Sequence, residues 1–183
     1  TQIVDTDEGI RPDTTIEGLT KLRPAFKKDG VLTAGNSSQL SDGAAALILA
    51  SQSAVDRYGL KPIAKVLSGN WYSGETWRFV EMPAYAAEKL LVKLNKQSSD
   101  IDLYENNEAF AVNSLLFAQK LNISLDRLNV NGGGIALGHP IGASGVRIVV
   151  TLLNALQEQD KTLGMAALCH GTGGGTAVVV ERV

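Results

Sequence analysis

Asn131-Gly132-Gly133-Gly134-Ile135-Ala136-Leu137-Gly138-His139-Pro140-Ile141-Gly142-Ala143-Ser144-Gly145 is the densest signal in the 183 residues, and it runs into a segment, Ser144 to Leu156, that is apolar on nearly every side. The glycines let the backbone approach a ligand or another segment closely and then open a helix. A helix with so little polar surface calls for cover on both sides, so the sequence predicts a layered α/β protein with this helix between two layers.

The flanking sequence supplies the other parts of such a fold. Ile101 to Tyr104 reads as a short strand and Ala109 to Leu121 as a mostly apolar helix. Met165 to Cys169 and Ala177 to Val180 are two apolar runs joined by the loop His170 to Gly175, an antiparallel pair of strands. Upstream, Ile63 to Leu67 reads as a strand, and Pro83 begins a helix carrying Ala87, Leu90, Leu91 and Leu94 on one face. A unit break falls near Lys61. Before it, Ala44 to Ala50 suits a strand buried on both faces, and Ser51 to Gly59 a helix capped at both ends. Residues 1 to 40 are polar and loop-rich, with one short helix predicted from Thr14 as N-cap and Glu17 as its capping-box partner.

Composition narrows the function. With 44% hydrophobic and 20% charged residues, the chain has neither the composition of disorder nor an apolar run of membrane length. A formal net charge of -2 and the lack of a dense Lys/Arg cluster argue against nucleic acid, so an anionic ligand must be held by local groups. The single cysteine, Cys169, excludes an internal disulfide framework and a multi-cysteine zinc site, and suits a reducing compartment. The chain opens on Thr1 followed by acidic and polar residues, unlike a secretion signal, which reads as an internal starting point with earlier sequence missing.

Three residues could carry chemistry. His139 in the glycine loop could be a base, an oxyanion donor or a histidine satisfied by backbone carbonyls. Its candidate partners are Asn107, beside Glu108, and Cys169, which is either a buried small hydrophobe or a catalyst. The loop Gly171 to Gly175 offers free backbone N–H groups of the kind that form an oxyanion hole. The glycine run matches neither the dinucleotide fingerprint nor the phosphate-loop pattern. By its residues alone, Asn36-Ser37-Ser38 is a turn with side chains bonded to nearby backbone.

Taken together, NEAFA at 107 to 111, NVNGGGIALGHPIGASG at 129 to 145 and CHGTGGGTA at 169 to 177 resemble the C-terminal signature blocks of thiolases in order and approximate spacing. DEGIRPDTTIEGLTKLRPAF at 7 to 26 and TAGNSSQLSDGAAALILAS at 33 to 51 extend the resemblance over nearly the whole chain, toward the acetyl-CoA acetyltransferase branch. The resemblance implies the thiolase fold, of which this would be the C-terminal, α/β/α half of a five-layer αβαβα subunit. Residues 1–40 would end the CoA-facing loop domain, 41–60 supply the last strand and helix of the N-terminal domain, and 61–183 form the C-terminal domain.

It also implies an acyltransferase that reversibly condenses two acetyl-CoA molecules by Claisen chemistry. Cys169 would be its acid/base, Asn107 and His139 would stabilise the enolate oxygen, and the Gly171 N–H would join a second oxyanion hole. Ser38 would contact the pantetheine of CoA, which enters as substrate, with no separate cofactor or metal. The nucleophilic cysteine belongs to the family's N-terminal half, so the 183 residues alone are expected to be inactive. A homo-oligomeric, cytoplasmic enzyme of lipid metabolism, with acyl-CoA as ligand and neither membrane nor nucleic acid as partner, completes the expectation. A degradative 3-ketoacyl-CoA thiolase and a non-catalytic remnant are the alternatives. His170 and Thr172 depart from the family pattern beside Cys169, as does Trp71 to Val80, which lacks the Met-Gly-x-Gly-Pro approach to Pro83.

Overall fold

Strand side chains alternate between the two faces of a sheet, and the C-terminal runs follow this closely. In the computed structural model, which describes residues 3–183, they lengthen to β3 (Leu163–His170) and β4 (Gly174–Arg182). Met165, Ala167, Ala177 and Val179 point to one face, Ala166, Leu168, Val178 and Val180 to the other. The remaining elements are, in chain order, α1 (Ile16–Thr20), α2 (Gln52–Tyr58), β1 (Ala64–Ser73), α3 (Met82–Lys93), β2 (Leu103–Asn106), α4 (Ala111–Leu121), α5 (Gly134–Leu137) and α6 (Ser144–Glu158). The strands form one sheet in the order β1-β4-β3-β2. β4 runs antiparallel to both β1 and β3, and β2 runs parallel to β3.

A parallel pair needs a long crossover, and the chain from Asn106 to Leu163 provides it, carrying α4, α5 and α6. α3 and α4 cover one face of the sheet around Leu90, Tyr104, Phe117 and Val179. α6 covers the other through Ile148, Leu152, Ala155 and Leu156. The expected α/β layering is thus present, as helix, sheet and helix. Because β2 and β3 run the same way, their C-terminal ends open at one edge of the sheet, where the crossover loops and the β3–β4 turn gather.

Several local expectations shift. Thr15, not Thr14, caps α1: its Oγ1 accepts from Gly18 N at 3.0 Å, while Thr14 Oγ1 donates to the Arg11 carbonyl. α2 has the expected caps, with Ser51 accepting from Ala54 N and Gly59 in the left-handed conformation at φ 59°. Residues 43–50 form no strand: among the described residues none pairs with them, and Ile48 and Leu49 are 94% and 80% exposed. A ladder needs a neighbour, and the four-stranded sheet lies elsewhere. The same reason corrects α6, which was expected between two layers: only its sheet-facing side is buried, and Val146, Val149, Val150 and Leu153 are half-exposed.

Candidate functional site

The alternation along β2 and β3 decides which helix each polar residue meets. Glu105 pairs with Ala166 in register and faces α6; Asn106, opposite Ala167, faces the α3/α4 side. Asn107, one residue further, returns to the α6 side, and its N–H donates to the Ala167 carbonyl at 3.1 Å. Cys169 shares its face with Met165 and Ala167, toward α4. The site therefore straddles the open end of the sheet, with Asn107 and His139 on one side and Cys169 on the other.

Asn107 and His139 do meet. Asn107 Nδ2 lies 3.3 Å from both ring nitrogens of His139, and Ser144 Oγ lies 2.6 Å from Nδ1. The Ser144 hydroxyl donates to the Pro140 carbonyl at 3.0 Å, so it accepts from Nδ1–H, and the bare Nε2 accepts from the Asn107 amide. Arg147, in the first turn of α6, donates from its Nη2 to Asn107 Oδ1 at 3.3 Å. A directional chain results: Arg147 to Asn107 to His139 to Ser144 to Pro140. Burial pushes the His139 pKa down, and the positive Arg147 pushes it the same way, so the ring is neutral.

The glycine loop is built to allow this approach. The Gly134 N–H donates to the Asn107 carbonyl at 3.1 Å, and a Cβ on Gly134 would sit 2.5 Å from that oxygen. Any other residue would push α5 away from the Asn107 loop. Glu108, at φ 55°, turns the chain after Asn107, and its carboxylate accepts from Ile135 N at 3.4 Å. Burial raises the Glu108 pKa, against that hydrogen bond.

Cys169 does not bond to His139 or Asn107 among the described residues; it pairs with Asn113, which sequence reasoning missed. Asn113 is 1% exposed and donates from Nδ2 to Cys169 Sγ at 3.4 Å and to the Val80 carbonyl at 3.2 Å, while its Oδ1 accepts from Phe110 N at 3.0 Å. One side chain thus caps α4, ties down residues 76–81 and supplies a donor to the sulfur. Burial raises the Cys169 pKa, and the Asn113 N–H opposes it. At rest the group is a thiol.

Gly171 lies in the exposed turn between β3 and β4, where its N–H has no backbone partner among the described residues, Thr172 takes φ 71° and Gly173 φ 86°. The His170 ring folds over Gly174 and shares a 3.1 Å hydrogen bond, Nδ1–H to the Gly171 carbonyl. Ser38 is half-buried at the rim. Its N–H donates to the Ala109 carbonyl at 2.9 Å, and its neighbours bridge Ser37 to Phe110 and Leu40 to His139. The segment 36–40 thus laces the Asn107 loop to the His139 loop.

The missed residues left faint signals. Asn113 occupies the third position of a helix, where a side chain can cap. Arg147 is the sole charge from Ser144 to Leu156, and Glu105 is the one charge in a fully buried strand.

The thiolase C-terminal domain model matches residues 60–182, and the thiolase N-terminal domain model matches residues 1–53. An acetyl-CoA acetyltransferase from Synechocystis sp. is 66% identical over all of this chain and 46% of its own length. The crystal structure of the Bacillus anthracis acetyl-CoA acetyltransferase superposes with a TM-score of 0.93 at 41% identity, covering 97% of this chain and 45% of that one. The human mitochondrial 3-ketoacyl-CoA thiolase in complex with CoA gives 0.90 at 36% identity, over 100% and 46%. The chain spans about half the length of the curated relatives it matches.

Proposed function

The chain belongs to the thiolase family, and from that premise we propose that the whole protein is an acetyl-CoA C-acetyltransferase, joining two acetyl-CoA molecules into acetoacetyl-CoA and reversing the step. The carrying observation is that one end of the sheet holds, on its two faces, a buried thiol with an amide donor on its sulfur and a neutral imidazole paired to a second amide.

A thiol with a raised pKa suits the order of events. When a nucleophilic cysteine from elsewhere in the protein is acetylated, the departing CoA sulfur takes the Cys169 proton. The thiolate left behind, held by Asn113, then removes the α-proton of a second acetyl-CoA. The enolate carbon attacks the acyl group and the nucleophilic sulfur leaves. Asn107, through a water, and His139 face the enolate oxygen, and the Gly171 N–H serves the tetrahedral intermediate. For this His139 must carry its hydrogen on Nε2. The Ser144 hydroxyl permits the change by turning to Nδ1, because the Pro140 carbonyl keeps the N–H groups of Ala143 and Ser144 at 2.8 and 2.9 Å.

Ser38 at the rim takes the pantetheine arm of CoA, which is substrate; no further cofactor enters. The domain division near residues 40 and 60 belongs to the same reading; family matches that stop at 53 and resume at 60 support the break near 60 alone. So do a homo-oligomeric state and a cytoplasmic location, the latter supported by the free thiol of Cys169; no helix among the described residues is long and apolar enough to cross a membrane. A degradative 3-ketoacyl-CoA thiolase is the second reading, favoured by the likeness to the human mitochondrial enzyme.

The test is Cys169→Ala in the whole protein. Condensation and thiolysis should vanish while acetyl transfer to the nucleophile persists in part. Condensation at the parent rate would remove Cys169 from the chemistry.

A further inference from the structure

An amide can present either its N–H2 or its oxygen to a site, and only the N–H2 suits an oxygen that gains negative charge. The backbone of Asn107 is pinned, by its N–H to Ala167 and its carbonyl to Gly134 N, but neither contact selects the side-chain orientation. The selection comes from behind. Arg147 Nη2 donates to Oδ1 at 3.3 Å, and a guanidinium has only donors, so a flipped amide would face it N–H to N–H. We propose, resting on the function above, that Arg147 is a positioning residue that fixes the Asn107 amide with its donors toward the reacting oxygen.

Arg147 is itself held. Glu105, fully buried on β2, places a carboxyl oxygen 3.8 Å from Nη1, and the Arg147 side chain is largely buried. Among the described residues neither Glu105 oxygen accepts a hydrogen bond, and Arg147 Nε and Nη1 find no acceptor. A charge in the first turn of a mostly apolar helix, facing a carboxyl with no other partner among the described residues, is a poor way to gain stability. The pair instead aims a fixed cation at Oδ1, and Lys, lacking the planar fork, would reproduce this only in part.

The experiment compares Arg147→Met, Arg147→Lys, Asn107→Ala and the double variant R147M/N107A in the whole protein. R147M should lower kcat about tenfold to hundredfold, the range of a charge-assisted hydrogen bond, with KM little changed. R147K should recover part of that loss, which also guards against a variant that merely fails to fold. The double variant should be no slower than N107A, because Arg147 acts through Asn107. Losses that multiply would overturn the proposal, as would R147K falling as far as R147M. Hydrogen exchange of the Asn107 Nδ2 protons, read by NMR, gives a measure independent of turnover. It should quicken at least about tenfold in R147M; unchanged exchange overturns the proposal even if the protein proves not to be an acetyltransferase.

Discussion

Asn113→Leu separates the two duties of the amide that touches Cys169. Leucine fills a similar space but makes no hydrogen bond, so Phe110 N and the Val80 carbonyl lose their partner, at 3.0 and 3.2 Å, along with the sulfur contact at 3.4 Å. Unsatisfied backbone groups cost about 1–3 kcal/mol each. Both lie in half-buried residues, so the lower part of that range applies, and the apolar side chain returns some of it. The expected loss is about 2 kcal/mol, which at an m-value near 2 kcal/mol/M lowers the urea midpoint by about 1 M. Asn113→Asp keeps the acceptor for Phe110 N but places a carboxylate against the sulfur. It should lose less stability yet push the Cys169 pKa higher than Leu does. Ultraviolet thiolate absorbance against pH, less that of the Cys169→Ala protein, isolates the titration of Cys169. The thiolate should appear at higher pH in both variants, later in Asp. Identical thiol titrations in parent, Leu and Asp proteins would refute the claim that the amide favours the thiolate.

Two further outcomes follow from strain and burial. Thr172, β-branched and at φ 71°, sits where only glycine is at ease; Thr172→Gly should raise stability by about 1 kcal/mol, seen as a higher urea midpoint. Burial pushes the Glu105 carboxyl up to about 8 against the pull of Arg147. A raised acid holds its proton more tightly when folded, so its contribution is complete below its ordinary value near 4.5 and lost as pH rises through about 8. Glu105→Gln should flatten that slope in urea titrations from pH 5 to 8, and an unchanged slope would assign it to other groups.

The fold was legible where a pattern is local. The spacing of Ala87, Leu90, Leu91 and Leu94 gave α3, and the apolar runs flanking His170 to Gly175 gave the hairpin of β3 and β4. Ala44 to Ala50 forms no strand here because an apolar run does so only where a neighbour exists to pair with it, and none lies beside it among the described residues. For the site, the sequence pointed to Cys169, His139 and Asn107 but could not say which would touch. That depends on register: a residue's face is fixed by its parity along the strand, and Asn107 and Cys169 end up on opposite faces although both leave the same edge.

This division explains why the polar partners were hidden. A polar side chain at a sheet end needs support from the helix on its own face, so two separate supports arise. Asn113 from α4 serves Cys169, and Arg147 with Ser144 from α6 serves Asn107 and His139. Each support is the first turn of a helix, where backbone groups still need partners and a polar residue is tolerated at the margin of an apolar element. The two supports share no hydrogen bond among the described residues, so losses at Asn113 and at Arg147 should add in free energy. Coupling between them would mean that the segment 36–40, which bridges both loops, carries strain from one face to the other.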